Sequence, residues 1–425
     1  MTRLRKLFFH AWLLSGILIA AVAFSSSFIP TAKADNHPIK IGFSMTLTGG
    51  LAGNDKAALI AMQIWQDDVN AEGGLLGRQV ELVYYDDQTN PANVPAIYTK
   101  LLNIDKVDLV VSSYGTNLIA PAMPIIMREK LVFMSLFGLA VNDRFKYDNY
   151  FQIMPAGPVP KVDWSKGFFD IAMEQSPKPK TIALLAADAE FARNAVDGAR
   201  TNANNVGLEI VYDKTYPPGT ADFTPIIRAI QASKPDVVYI GSYPPGAAGI
   251  VRAANELGLE TKLFGGGMVG LQYASLQTSL GSMLNGIVNY DFWAPEPTLN
   301  FAGVEAFLEK YQKVAADAGV DPLGYYLPPY AYAYLQVLGD AVNAVGSLDQ
   351  QAIGKYIHAN TFETVAGSIK FAANGEWATS RALMVQFQGI EDNNMDQFRE
   401  AGKTVILSPK EFKSGELIYP YSKAK

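Results

Sequence analysis

The sequence contains no cysteine. That excludes a disulfide framework, a thiolate metal site, a cysteine nucleophile and a lipid attached through cysteine. Histidine is nearly as scarce, with three residues in 425. His10 falls in the apolar N-terminal segment and His37 just beyond it, so His358 alone serves the folded body. A Ser-His-Asp triad would have to use it, yet no G-x-S-x-G elbow precedes a helix. A lone histidine on a helix reads first as structural. Charge of one sign never runs in blocks and the net charge is −6. The basic face that nucleic acid requires is missing. Beyond the first 34 residues no apolar run is long enough to span a bilayer.

What is present begins with a processing segment. Arg3, Arg5 and Lys6 form a short positive start, and an apolar stretch comes next that is densest from Trp12 to Phe24. Ala32-Lys33-Ala34 is a small-x-small cleavage signal, so Asp35 is expected to be the first mature residue. The alternative is an uncleaved membrane anchor. Removing residues 1–34 takes four of the 35 basic residues and none of the 41 acidic ones, which deepens the net charge to −10. The expectation is an exported, periplasmic and soluble chain.

Short β-rich runs then alternate with helical patterns. The runs are 39–44, 80–85, 107–111 and 131–134, resuming at 181–185, 208–212 and 236–240. Such near-continuous apolar stretches suit parallel strands covered on both faces. Ala58, Met62, Trp65 and Val69 have the spacing of a buried helical stripe. Thr224-Pro225 reads as an N-cap followed by proline in the first helical position. The helix near 247–257 is expected to stop at Gly258. Strand-helix alternation of this kind means doubly wound α/β sheets.

The series runs twice, over about 38–155 and 158–290, with the proline-rich stretch 155–160 between. A helical section extends from about 298 to 344, and 363–390 returns to strand character. The expected architecture is two similar Rossmann-like lobes joined by a hinge. Lobe 1 is expected to hold residues 35–156 and 291–364, and lobe 2 residues 157–290 and 365–425. In open α/β sheets ligands bind beyond the carboxyl ends of the strands, so two facing lobes share one cleft.

Catalytic and metal motifs are weak. Gly265-Gly266-Gly267 after a strand lacks the G-K-[ST] ending of a phosphate loop. Asp86-Asp87 has no second acidic cluster at ligand spacing, and capping of the next segment fits it better. No cofactor is expected. The strand ends carry aromatic and hydroxyl character instead. Ser112–Thr116 comes after the third run and Leu136–Ala140 after the fourth. Phe191, Ser242–Gly246 and Gly267–Gly270 come after runs of the second series. Aromatic walls with a few hydroxyls and backbone N–H groups make a small-molecule pocket. The candidate lining is Tyr114, Gly115, Thr116, Phe137, Gly138, Leu139, Phe191, Tyr243, Gly267 and Met268.

Residues 71–78, Ala-Glu-Gly-Gly-Leu-Leu-Gly-Arg, precede a strand that ends in Asp86-Asp87. Together with Asp222–Ile227, Pro235–Val238 and Gly246–Gly258, this pattern resembles the leucine/isoleucine/valine-binding protein family. These are type I periplasmic solute-binding proteins of ABC transporters. The resemblance covers nearly all of 38–390. It implies three crossover strands, closure on a ligand and delivery to an inner-membrane ABC permease by what is expected to be a monomer. It also implies that Thr116 holds a ligand carboxylate, beside Tyr114 and Gly115. Two departures stand out. The loop Leu136–Val141 carries no hydroxyl where the family supplies a threonine. Gly267 stands where the family places the acid that binds an α-ammonium.

A buried ammonium without an anionic partner costs several kcal/mol. The expected ligand is therefore a small organic carboxylate, with an aromatic acid favoured, held by Thr116 and nearby N–H groups between aromatic rings. Amino-acid or amide binding stays open, because Asp188 or Glu190 could reach in from a neighbouring loop. A sensory ligand-binding module is an alternative to a transport receptor, and a secreted hydrolase built on His358 is a third class. The segment Tyr325–Tyr330 either lines the cleft or packs a helix start.

Overall fold

The computed structural model describes residues 37–424, and the expected signal segment lies outside them. Among the described residues the strands are β1 (Ile39–Met45), β2 (Val80–Asp86), β3 (Leu109–Tyr114), β4 (Phe133–Leu136), β5 (Tyr150–Gln152), β6 (Thr181–Ala187) and β7 (Glu209–Tyr216). They continue with β8 (Val237–Ser242), β9 (Leu263–Met268), β10 (Val288–Asp291), β11 (Thr361–Thr364), β12 (Gly367–Lys370), β13 (Leu383–Phe387) and β14 (Thr404–Ser408). One sheet has the order β2-β1-β3-β4-β5 and is parallel throughout. The other has the order β14-β13-β10-β9-β8-β6-β7, parallel from β7 to β10, with β13 and β14 added antiparallel. β11 and β12 pair as a separate hairpin.

The central runs become strands because their residues are apolar on both faces, whereas β2 and β7, at the sheet edges, are only partly buried. β3, β8 and β9 are buried along their whole length. Some runs start later than expected. β3 begins at Leu109, because Asp108 turns its carboxylate to the Lys40 N–H (2.9 Å). It then continues through Tyr114, which pairs with Leu136. Ser112, Ser113 and Tyr114 therefore belong to the strand and not to the loop after it.

The helix Ala52–Ala71 packs against the helix Pro328–Val345, and that helix packs on β4. The stripe Ala58, Met62 and Trp65 is buried as expected. Val69, at its end, is half-buried. Thr224 is not the cap of its helix. The helix Thr224–Ala232 starts with Thr224 inside it, and the Asp222 carboxylate accepts the Thr224 N–H (2.9 Å). Gly258 does come after the helix Pro244–Glu256 in a left-handed conformation, with φ +59°.

The triple glycine corrects another expectation. Gly265, Gly266 and Gly267 do not come after a strand but lie inside β9. A Cβ on Gly265 would sit 1.6 Å from the Val288 carbonyl oxygen, and one on Gly266 2.7 Å from the Tyr239 ring. Only glycine lets β9 pass that close to its neighbours.

The chain passes between the two sheets three times: after β5, after β10 and before β13. Two of these passages are tied together where the Arg381 N–H donates to the Pro155 carbonyl (2.9 Å). His358 is structural. Its Nε2 lies 2.7 Å from the Asp148 carbonyl and its ring packs on Phe151 at 4.6 Å.

Candidate functional site

Asp86 and Asp87 shape the ground beside the cleft. Asp86 accepts the N–H groups of Leu47 (2.9 Å), Thr48 (3.2 Å) and Gln88 (2.9 Å), and Asp87 accepts the Thr46 hydroxyl at 2.6 Å. Burial is the largest single influence on Asp86 and disfavours its charge, but the four hydrogen bonds from Thr48, Gln88 and Leu47 together outweigh it and hold its carboxyl below the usual range. The pair thus fastens the loop after β1 to the loop after β2. Among the described residues no cluster of three metal-ligating side chains occurs.

The cavity lies between the carboxyl ends of the two sheets. From the first sheet it is lined by Tyr114 at the end of β3, then Gly115, Thr116 and Asn117, with Phe137 after β4 and Met154 after β5. Phe191, Tyr243 and Tyr290 line it from the second sheet, with Leu51 and Tyr326 completing the wall. It spans about 370 Å³ of space between atoms, part of it open to solvent.

Phe137 is the most constrained member. Its backbone is left-handed, with φ +62°, an unusual state for a bulky residue that costs about 1–3 kcal/mol. Its N–H donates to Gln152 Oε1 (3.1 Å). Its ring meets Phe292 (4.8 Å), Tyr330 (5.3 Å), Tyr326 (5.4 Å) and Tyr114 (6.2 Å) edge to face. The surrounding rings fix the conformation that the backbone alone would not choose.

Thr116 is buried, and its Oγ1 accepts the Leu139 N–H at 3.0 Å. Accepting one bond leaves the hydroxyl proton free to donate into the cavity. Asn117 reaches the other side. Its Nδ2 donates to the Tyr243 hydroxyl (2.9 Å), and its Oδ1 accepts that hydroxyl (3.3 Å) and the Phe191 N–H (3.4 Å). A further bond runs from Asn194 Nδ2 to the Leu139 carbonyl (3.0 Å). These bonds join loops of one sheet to loops of the other.

The lining contains no charged side chain. Asp188 pairs with Arg193 at 2.6 Å and is exposed. Glu190 opens the helix Glu190–Asn205 without lining the cavity. Burial raises its carboxyl above the usual range, partly offset by Arg144, Arg193 and Lys161. Burial likewise pushes the Tyr243 hydroxyl up to about 12, so it stays neutral.

Six of the ten expected residues meet here: Tyr114, Gly115, Thr116, Phe137, Phe191 and Tyr243. Four do not line the cavity. Gly138 turns its carbonyl to Gln152 Nε2 (2.7 Å), and the Leu139 side chain is fully buried in the core. Met268 is locked by Asn289, whose side-chain amide bonds both its N–H and its carbonyl at 3.0 Å. Gly267 faces the Trp164 ring, 2.8 Å from where its Cβ would be. Trp164 in turn backs Tyr290 (4.7 Å) and Phe191 (5.7 Å). The place of an acid at 267 is thus taken by an indole. Leu51, Asn117, Met154, Tyr290 and Tyr326 are members that the sequence pattern does not reveal. The repeated tyrosines of 325–330 are the one hint of Tyr326. That segment both lines the cavity, through Tyr326, and starts a helix, through Pro328 and Pro329.

Two α/β lobes facing each other across an aromatic cavity have the form of a ligand receptor. A family model for the periplasmic binding proteins matches residues 38–394. The chain belongs to that family, which works in the periplasm, and it is a binding protein and not an enzyme. A Leu/Ile/Val-binding protein homolog from Brucella abortus is 26% identical over 365 residues, 85% of this chain and 94% of that protein. The fold is shared with a branched-chain amino acid transporter substrate binding protein from Streptococcus pneumoniae, solved with isoleucine. That match has a TM-score of 0.71 and 20% identity, and covers 88% of this chain and all of that one. A solute binding protein of an ABC transporter from R. palustris, solved with benzoate, gives a TM-score of 0.71 at 18% identity, with 87% and 95% covered.

Proposed function

We propose that this chain is the solute receptor of an ABC importer, that it takes a small aromatic carboxylate between its lobes, and that it hands it to a membrane permease. The observation that carries the ligand class is the lining itself: six aromatic side chains, the Thr116 hydroxyl and no carboxylate. A free α-ammonium would lose its water there and gain no anionic partner, which costs several kcal/mol. A carboxylate finds the Thr116 hydroxyl and the first N–H groups of the turn that begins at Thr116, which lack partners within that turn. The rings of Phe137, Phe191 and Tyr243 supply faces and edges for an aromatic guest, at about 0.5–1.5 kcal/mol per well-placed pair. The benzoate held by the R. palustris protein on the same fold supports this reading.

Ligand contacts made to both lobes at once favour the closed arrangement, so occupancy is reported by closure without chemistry. A branched-chain amino acid is the second reading, favoured by the name of the B. abortus relative. A thermal-shift panel of benzoates, phenylacetates and cinnamates against the common α-amino acids separates the two. A ligand at a hundred times its Kd stabilises by about 2.7 kcal/mol, a readable shift. Stabilisation by amino acids alone would overturn the aromatic reading.

A further inference from the structure

The cavity wall has a further polar feature besides Thr116 and the Asn117–Tyr243 pair. The hydroxyls of Tyr290 and Tyr326 are 2.7 Å apart, and those of Tyr114 and Tyr326 are 3.5 Å apart. All three residues line the cavity, yet they come from three separate stretches of chain. Three hydroxyls bring three protons, and the two bonds between them use two. Whichever way the bonds run, one proton is left over and must point away from the trio.

Polar atoms without partners surround the trio. The Tyr273 hydroxyl and Asp55 Oδ2, whose other oxygen accepts the Tyr114 N–H, are buried without a hydrogen-bond partner. Tyr273 packs its ring edge-on against Tyr326 at 5.3 Å, and Asn54 interacts with the Tyr114 hydroxyl. Burial raises all three cluster hydroxyls, so they stay neutral and keep their protons. A buried donor left unpaired costs about 1–3 kcal/mol. A guest that brings an oxygen to this place relieves that cost, and one that brings a methyl group does not.

Building on the aromatic-carboxylate reading, we propose that the Tyr114–Tyr326–Tyr290 trio is a specificity element that selects ligands carrying a second oxygen, a phenolic hydroxyl or a carbonyl, in addition to the carboxylate.

The test is calorimetric titration of the mature chain with benzoate, 3- and 4-hydroxybenzoate, and 3- and 4-methylbenzoate. At least one hydroxy acid binds tenfold or more tightly than its methyl counterpart, the discrimination expected where a site pairs a hydroxyl. The triple variant Tyr114→Phe/Tyr290→Phe/Tyr326→Phe loses this preference, read as the ratio of hydroxy acid to methyl acid, whatever its affinity for benzoate. If benzoate binds but no hydroxy acid is preferred, the trio is not a specificity element and the aromatic reading stands. If the preference survives in the folded triple variant, other groups set it and the inference fails. If no aromatic acid binds, the aromatic reading and this inference fall together. Should the triple variant not fold, the wild-type ratios decide alone.

Discussion

The Asn117 side chain clasps the Tyr243 hydroxyl across the cleft, donating at 2.9 Å and accepting at 3.3 Å. The two residues belong to loops of different sheets, so parting the lobes would break this pair. With the Phe191 N–H as a third partner, Asn117 is a latch that adds to closure whatever the ligand. Such a contact raises the closed fraction and with it the apparent affinity for every ligand.

Asn117→Ala should therefore weaken all ligands together, by about tenfold, given roughly 0.5–1.5 kcal/mol per lost hydrogen bond. The order of preference among ligands should not change. Titration of several ligands against the variant checks this. Unchanged affinity would show that the latch contributes nothing, and a changed order would place Asn117 in direct contact with ligand.

Thr116 has a different part, because its hydroxyl both accepts from Leu139 and has a proton to give. Thr116→Val should lower carboxylate affinity by about 10- to 100-fold, since a hydrogen bond to a charged group contributes about 1.5–3 kcal/mol. Thr116→Ser should restore most of it. A valine variant that melts earlier but binds equally well would make the residue purely structural.

At Gly267 the expectation runs against simple restoration of an acid. The Trp164 ring already occupies the space a side chain would need. Gly267→Glu should destabilise the fold by about 1–3 kcal/mol through overpacking and should not confer amino-acid binding. Thermal melts with and without leucine read both effects. Leucine binding by this variant would contradict the assigned role of Trp164.

Asp291 gives the protein a pH dependence. It is buried at the end of β10, its carboxyl is pushed up to about 8 by burial, and its Oδ1 accepts the Phe292 N–H at 2.8 Å. The folded chain thus keeps a proton that the unfolded chain releases above about pH 4. The stability this proton represents is complete below about pH 4 and is lost as pH rises towards 8. Asp291→Asn keeps the accepting oxygen and cannot ionise. Its melting temperature should gain on the wild type steadily from about pH 5 to about pH 8, whereas parallel curves would contradict the shift.

Much of the architecture is visible in the sequence because parallel strands buried on both faces leave unbroken apolar runs, as at Leu109–Val111 and Val237–Ile240. The turn residues Gly115 and Thr116 and the rings of Phe137, Phe191 and Tyr243 are legible from their places just beyond the ends of those runs. The failures have physical causes too. Gly267 and Met268 resemble loop residues because glycine normally ends strands, whereas here it lets β9 approach Tyr239 and Val288. Tyr290 sits within a strand of the second sheet and Tyr326 arrives from a segment between two helices, so neither lies just beyond a strand in sequence. Their meeting depends on how the lobes close, which local pattern does not encode. Asn117 is illegible because an amide after a turn looks like capping, and its partners lie 74 and 126 residues away.

The uncharged lining of the cavity is the central claim, and one pair of ligands tests it most directly. Phenylacetate and L-phenylglycine differ only by the α-ammonium group. Calorimetric titration of both against the mature chain should show phenylacetate bound at least tenfold more tightly, the least that a stranded buried charge would cost. Tighter binding of phenylglycine would mean that an anionic partner reaches the ligand after all, and the aromatic-acid reading would be wrong.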